Sequence, residues 1–171
     1  VNIHRQSSLS PTSYPNLNTS EGGAIYDAFT NGGIPAAIIN RSTTQAVGLS
    51  TQSNTWATMA SQQLQQTAEC NVAGVALINK DDRKATITVE VYYTANSASS
   101  ENYLTIMMLQ DNIQGYQNGS GDNPDQEIYV DGNKTYNHMH ILRDIITPTW
   151  GDAIAPTTAG TLITKTYEYE I

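Results

Sequence analysis

At 171 residues, with 39% of them apolar, the chain can bury one large or two small cores, and its composition is that of a folding sequence. Eight Lys and Arg against sixteen Asp and Glu leave a net charge of −8, which repels nucleic acid and anionic lipid and provides no basic stripe for phosphates. A single cysteine, Cys70, excludes an internal disulfide, and no run of about 18 apolar residues exists to cross a bilayer as a helix.

Only 14% of residues are charged, so Thr, Ser, Asn and Gln must coat much of the surface, a style common among exported proteins of bacterial envelopes. The sequence starts at Val1 without Met and shows no basic, apolar or small-residue leader, so any targeting or lipid-anchor segment is expected upstream.

Val1 to His4 reads as a short strand. After a turn-rich stretch with Pro11 and Pro15, Thr19 or Ser20 can cap a helix with Glu21 in its first turn, whose Ala24, Ile25, Ala28 and Phe29 recur at helical spacing. Asn31-Gly32-Gly33 stops it. The next run, Gly32 to Arg41, is a strand with Pro35 at its head. Proline cannot donate to a sheet ladder, so it belongs at the first residue or the edge of a strand, and X-Pro is where a cis peptide is affordable. Ile34-Pro35 is therefore expected to be cis, as in the cis-proline strand that this segment resembles in thioredoxin-like domains. No Cys-x-x-Cys accompanies it, so these residues cannot perform the redox chemistry of such a strand. Arg41 to Thr44 turns the chain, and a second helix is expected from about Ser53, with Trp56, Ala60 and Leu64 spaced by four.

From Val72 the period changes to two. Val72 to Ile78 is apolar throughout. The corner Asp81-Asp82-Arg83 leads into Ala85 to Tyr93, where Ile87, Val89, Val91 and Tyr93 share one face and Thr88, Glu90 and Tyr92 the other. Tyr103 to Leu109 alternates again, and Tyr136 to Ile146 forms a longer candidate strand. Thr161 to Ile171 sets Ile163, Tyr167, Tyr169 and Ile171 opposite Thr164, Thr166, Glu168 and Glu170. The prediction is an α+β chain in two parts: residues 1–68, a partial α/β segment, and residues 69–171, an antiparallel β-sandwich. The alternating run is still under way at Ile171, so further strands are expected to complete the sandwich edge.

His138 and His140 are the best ligand pair, because residues i and i+2 of a strand project from one face and could chelate a divalent ion with Asp144. Two histidines make half a site, and no third ligand motif is present, so a hydrogen-bonded strand pair is the competing reading and no metal is expected. The loop Gly121 to Glu127, with Asp131-Gly132-Asn133, clusters oxygens that would suit calcium, but its spacing is not that of an EF-hand, and Asn, Asp, Gly and Pro also make turns. Four Asn-x-Ser/Thr triplets, at Asn18, Asn40, Asn118 and Asn133, are close to what 15 Asn and 34 Ser plus Thr in 171 residues produce by chance, about three (15 × 34/171). Cys70 reads as an inert buried thiol, no Gly-x-Ser-x-Gly is present, and so no enzyme activity and no cofactor are expected. Trp56 and Trp150 read as packing residues. Ten Tyr against one Phe suit half-wet sheet faces and protein contact surfaces alike.

Three segments together, Gly33 to Arg41, Leu109-Gln110-Asp111-Asn112-Ile113 and Tyr136 to Arg143 followed by Trp150-Gly151-Asp152, resemble the twenty-eight-kilodalton outer-membrane lipoprotein family of Gram-negative anaerobes. Within them Tyr136, His138, His140, Arg143 and Trp150 are the residues that mark the family. The resemblance implies a thioredoxin-like region, here its C-terminal part, followed by an immunoglobulin-like sandwich. It implies outer-membrane attachment through a lipid outside this chain, facing the periplasm or the cell surface. It also implies a non-catalytic role as an adhesin, a receptor or a structural module, with a protein or host-surface partner and no nucleic acid. The alternative is an accessory part of a thiol-disulfide protein whose active site lies upstream.

Overall fold

The computed structural model of the chain describes residues 1–4, 15–29, 36–40, 47–48, 53–115, 127–130 and 133–171. The Ile34-Pro35 peptide, the turn at 41–44 and most of the oxygen-rich loop lie outside the described residues. In chain order the elements are α1 (Ser20–Phe29), β1 (Ala36–Ala37), β2 (Val47–Gly48), α2 (Ser53–Leu64), β3 (Cys70–Asn79), β4 (Lys84–Tyr93), β5 (Asn102–Leu104), β6 (Met107–Gln110), β7 (Ile113–Gly115), β8 (Glu127–Val130), β9 (Asn133–His138), β10 (Ile141–Ile145), β11 (Asp152–Ile154) and β12 (Leu162–Glu170). The fold is α+β, with antiparallel sheets predominating. The chain forms two compact units, each built from two segments: Val1–Gly32 with Met107–Ile145, and Gly33–Ile106 with Ile146–Ile171.

In the first unit, Thr19 caps α1. Its hydroxyl accepts from the Gly22 N–H at 3.0 Å and its carbonyl from the Gly23 N–H at 3.0 Å, satisfying donors that a helix start leaves open. Gly22 and Ile25 are buried and Phe29 is half-buried, whereas Ala24 and Ala28, expected on the apolar face, are exposed. The face therefore sits one position from the expected one, because Gly22 rather than Ala24 approaches the neighbouring chain. A Cβ at Gly22 would stand 3.0 Å from the Ile3 side chain. The Val1 to His4 segment is held by one parallel bridge: Asn2 N–H donates to the His140 carbonyl at 2.8 Å and Leu142 N–H to the Asn2 carbonyl at 3.0 Å. Leu17, Ile25, Ile141, Leu142 and Ile145 are buried there. The single strand expected over 136–146 is two strands in two sheets, β9 in the order β7-β9-β8 and β10 paired with β6. His140 separates them with a left-handed φ of 57°, which no continuous strand tolerates.

In the second unit β4 lies between β12 and β3. The expected alternation of β4 is present: Ala85, Val89, Val91 and Tyr93 are buried and Ile87 half-buried, with Ile154 of β11 closing the core and Leu104, Ile106 and Ile163 packed around it. The Tyr93 ring is fully enclosed, and its hydroxyl accepts from Asn102 Nδ2 at 3.0 Å, which makes burial of the phenol tolerable. The run Tyr103 to Leu109 also divides, into β5 paired with β11 and β6 in the first unit. At the β3–β4 corner Asn79 donates to Asp82 Oδ2 at 2.6 Å and accepts from the Asp81 N–H at 3.0 Å, while Arg83 takes φ 53°. On α2 the half-buried residues are Trp56, Met59, Ala60 and Gln63, and Leu64 is 86% exposed, so the expected stripe stops a turn early.

Candidate functional site

Register places the side chains of the β12-β4-β3 sheet on two faces. Cys70, Val72, Gly74, Ala76 and Ile78 stand opposite the core-facing residues of β4, and Ala73, Val75 and Leu77 stand beside Glu90, Thr88 and Thr86. The second set continues across β12 with Leu162, Thr164, Thr166, Glu168 and Glu170. This outer face is open. Thr86 Oγ1 donates to Glu168 Oε1 at 2.8 Å, the Thr88 and Thr166 hydroxyls meet at 3.3 Å, and Tyr92 is exposed beside them. The result is an array of hydroxyls, carboxylates and one aromatic ring, suited to polar protein contact.

Among the described residues the sheet is uncovered at β3 on both faces. Val72 and Ile78 on the inner face are 61% and 60% exposed, and Val75 and Leu77 on the outer face are 55% and 67% exposed. An unbroken apolar run ordinarily marks a strand buried on both faces. Here it marks a sheet edge. Cys70, at its start, packs half-buried against the Val89, Val91 and Tyr93 cluster.

The residues on which the sequence resemblance rests fall in different places. His138 is buried at 1% exposure, with the Tyr136 ring 4.9 Å and the His4 ring 4.7 Å away, the latter edge-on. Gly115 lies against the His138 ring, where a Cβ would come within 3.2 Å. His140 is exposed beyond the end of β9, its Nδ1 3.3 Å from Asp111 Oδ1, and its N–H donates to the same carboxylate. His138 and His140 thus do not share a strand face as the chelate reading requires, and among the described residues no three His, Cys, Asp or Glu cluster to hold a metal. Arg143 is the extra residue at a bulge in β10, exposed, between the pairs Leu142 with Leu109 and Asp144 with Met108. Trp150 is 48% exposed in the turn before β11 in the second unit.

Burial of His4, and secondarily the neighbouring His138, lower its pKa to about 4, so it is neutral at neutral pH. No motif in the sequence pointed to this histidine. Tyr167 faces Asp152 from the inner side of β12. Its hydroxyl is enclosed without closing a hydrogen bond, and burial first and the Asp152 carboxylate second push it up to about 12. We read the pair as a charge–dipole contact, because the geometry of a hydrogen bond is not met. Tyr103 donates to Glu101 Oε1 at 2.6 Å, and that bond raises its pKa.

Residues 23–171 match a family model described as outer membrane protein Omp28. No curated protein and no solved structure matches the chain.

Proposed function

The chain belongs to the Omp28 outer membrane protein family and resides at the outer membrane, and on that premise we propose that it is a non-catalytic interaction module whose open sheet face contacts a partner protein or host surface. The observation that carries this reading is the outer face of β12-β4-β3, where Thr86, Thr88, Glu90, Tyr92, Thr166 and Glu168 stand exposed or half-exposed together. Tyrosine and short hydroxyl side chains offer contact area and adaptable hydrogen bonds at little entropic cost. Attachment through a lipid belongs to the same proposal. So does the finer reading of the fold, an immunoglobulin-like sandwich preceded by the C-terminal part of a thioredoxin-like domain. Among the described residues no helix is long and apolar enough to cross a membrane.

The test uses intact cells carrying the full-length protein. Added protease should cleave it, and cells carrying Tyr92→Ala with Thr166→Lys should bind host matrix proteins severalfold less than cells with the unaltered protein. Full protection from protease, together with unchanged binding by cells that lack the protein, rejects the proposal.

A further inference from the structure

The two edges of the β12-β4-β3 sheet are made differently. Over nine residues β12 carries Lys165, Glu168 and Glu170, the charged side chains with which proteins keep an edge from pairing. Over ten residues β3, Cys-Asn-Val-Ala-Gly-Val-Ala-Leu-Ile-Asn, carries no charge and no proline, and its large apolar side chains are exposed on both faces. A sequence that charges one edge and leaves the other apolar treats the second as a surface to be covered.

The backbone of β3 is also oriented for pairing. Tyr93 directs its N–H to the Thr161 carbonyl at 2.9 Å and accepts from the Gly160 N–H at 2.8 Å, so both its groups face the β12 side. Thr94 N–H instead bonds the Glu69 carbonyl at 2.9 Å. Because antiparallel pairs alternate, and Cys70 stands opposite Tyr93, the odd residues Asn71, Ala73, Val75, Leu77 and Asn79 bond to β4. The even residues Cys70, Val72, Gly74, Ala76 and Ile78 direct their N–H and C=O groups out of the sheet.

We propose that β3 is a homodimer edge: two copies of this chain pair β3 with β3 antiparallel, about a two-fold axis through Val75, into one continuous six-stranded sheet. Self-complementarity selects a second copy as the occupant. A two-fold axis normal to the sheet keeps inner face with inner face. It sets Val72 against Ile78 of the second copy and Gly74 against Ala76 as hydrogen-bonded pairs, with Val75 against Val75 and Ala73 against Leu77 on the outer face. The four most exposed apolar side chains of the strand then meet apolar neighbours. The charges lie outside the strand: Glu69 precedes it and Lys80, Asp81 and Asp82 follow it, so antiparallel copies bring both Lys80 and Asp81 of one near Glu69 of the other, whereas parallel copies would set Glu69 against Glu69. The strand itself adds no like-charge contact, despite the net charge of −8. A single strand pair is a small interface, so the dimer should be weak, with dissociation in roughly the micromolar range.

Sedimentation of the chain under reducing conditions, from roughly 1 to 100 μM, reads the equilibrium. The mass should double across that range, and Val75→Lys, which sets two ammonium groups face to face at an already exposed position, should weaken association at least tenfold. A monomer at every concentration, as expected if another chain or segment takes the edge, overturns the proposal, and so does a Val75→Lys protein that dimerises as well as the original. Register is read separately. With Cys70→Ala as background, Val75→Cys places two thiols in a non-hydrogen-bonded pair, where Cα atoms lie about 4.5 Å apart, a separation a disulfide bridges. Oxidised glutathione should then give a covalent dimer. Leu77→Cys, which faces Ala73 of the second copy, should remain largely monomeric. Equal cross-linking of the two variants overturns the two-fold at Val75. A change in dimerisation leaves the membrane exposure and host binding of the single chain to be judged by their own experiment.

Discussion

Tyr167 shows how much a single polar atom weighs in this molecule. On β4 it stands opposite the apolar Ile87, Lys165 and Tyr169 flank it along the same face of β12, and Asp152 is the carboxylate to which its pKa responds. An enclosed hydroxyl that closes no hydrogen bond costs about 1–3 kcal/mol relative to a satisfied one. Tyr167→Phe keeps the ring and removes that cost, so the variant is expected to be as stable as the original or up to about 1 kcal/mol more stable. Thermal unfolding of both proteins measures it, and a clear loss of stability in the Phe variant would establish a real Tyr167–Asp152 hydrogen bond. Tyr93 is the opposite case. Its ring is fully buried where Tyr167 is half-buried, and Asn102 answers its hydroxyl, so the two tyrosines share a composition count and differ in energetics. His138 is a core residue as well, with the His4 and Tyr136 rings beside it.

Strands with one covered face could be read from the sequence, and strands whose environment is decided elsewhere could not. The alternation in Ala85 to Tyr93 and in Leu162 to Glu170 reappears residue by residue, because a period of two has only one way to fit a half-buried sheet. The run Val72 to Ile78 gave the strand but not its exposure, since an apolar residue records what the chain could bury and not whether anything lies over it. The division of 136–146 escaped because a left-handed residue that is neither Gly nor Asn, here His140, leaves no signal. A pair of substitutions separates covered from uncovered strands. Ile154→Ala empties a site 4% exposed in the core and should cost about 2–5 kcal/mol. Leu77→Ala removes a comparable side chain from β3 at a monomer's surface and should change the unfolding free energy at low protein concentration by less than about 0.5 kcal/mol. Similar losses in the two variants would mean that β3 is covered in the monomer.

At the scale of the whole chain, two units are threaded by four segments, with the chain passing from one to the other near residues 32, 106 and 145. Acid should therefore be felt unequally, because His4 sits only in the first. The His4 pKa of about 4 lies below its unfolded value of 6.5, so between these values the unfolded chain binds more protons than the folded one. Its contribution to stability is fully present above pH 6.5, declines as pH falls, and is lost below about 4. The ring keeps some contact with solvent, so the loss is discounted to roughly 1–2 kcal/mol. The bridge that holds His4 in place, from Asn2 to His140 and Leu142, gives the readout. Hydrogen exchange at the Leu142 amide, corrected for its intrinsic rate, should lose protection from pH 6.5 to 4 faster than the amides of β4. In His4→Phe, which keeps an apolar ring against His138 without titrating, that excess loss should vanish. If Leu142 and β4 lose protection in parallel in the unaltered protein, His4 is not the acid-sensitive point, and the carboxylates common to both units are.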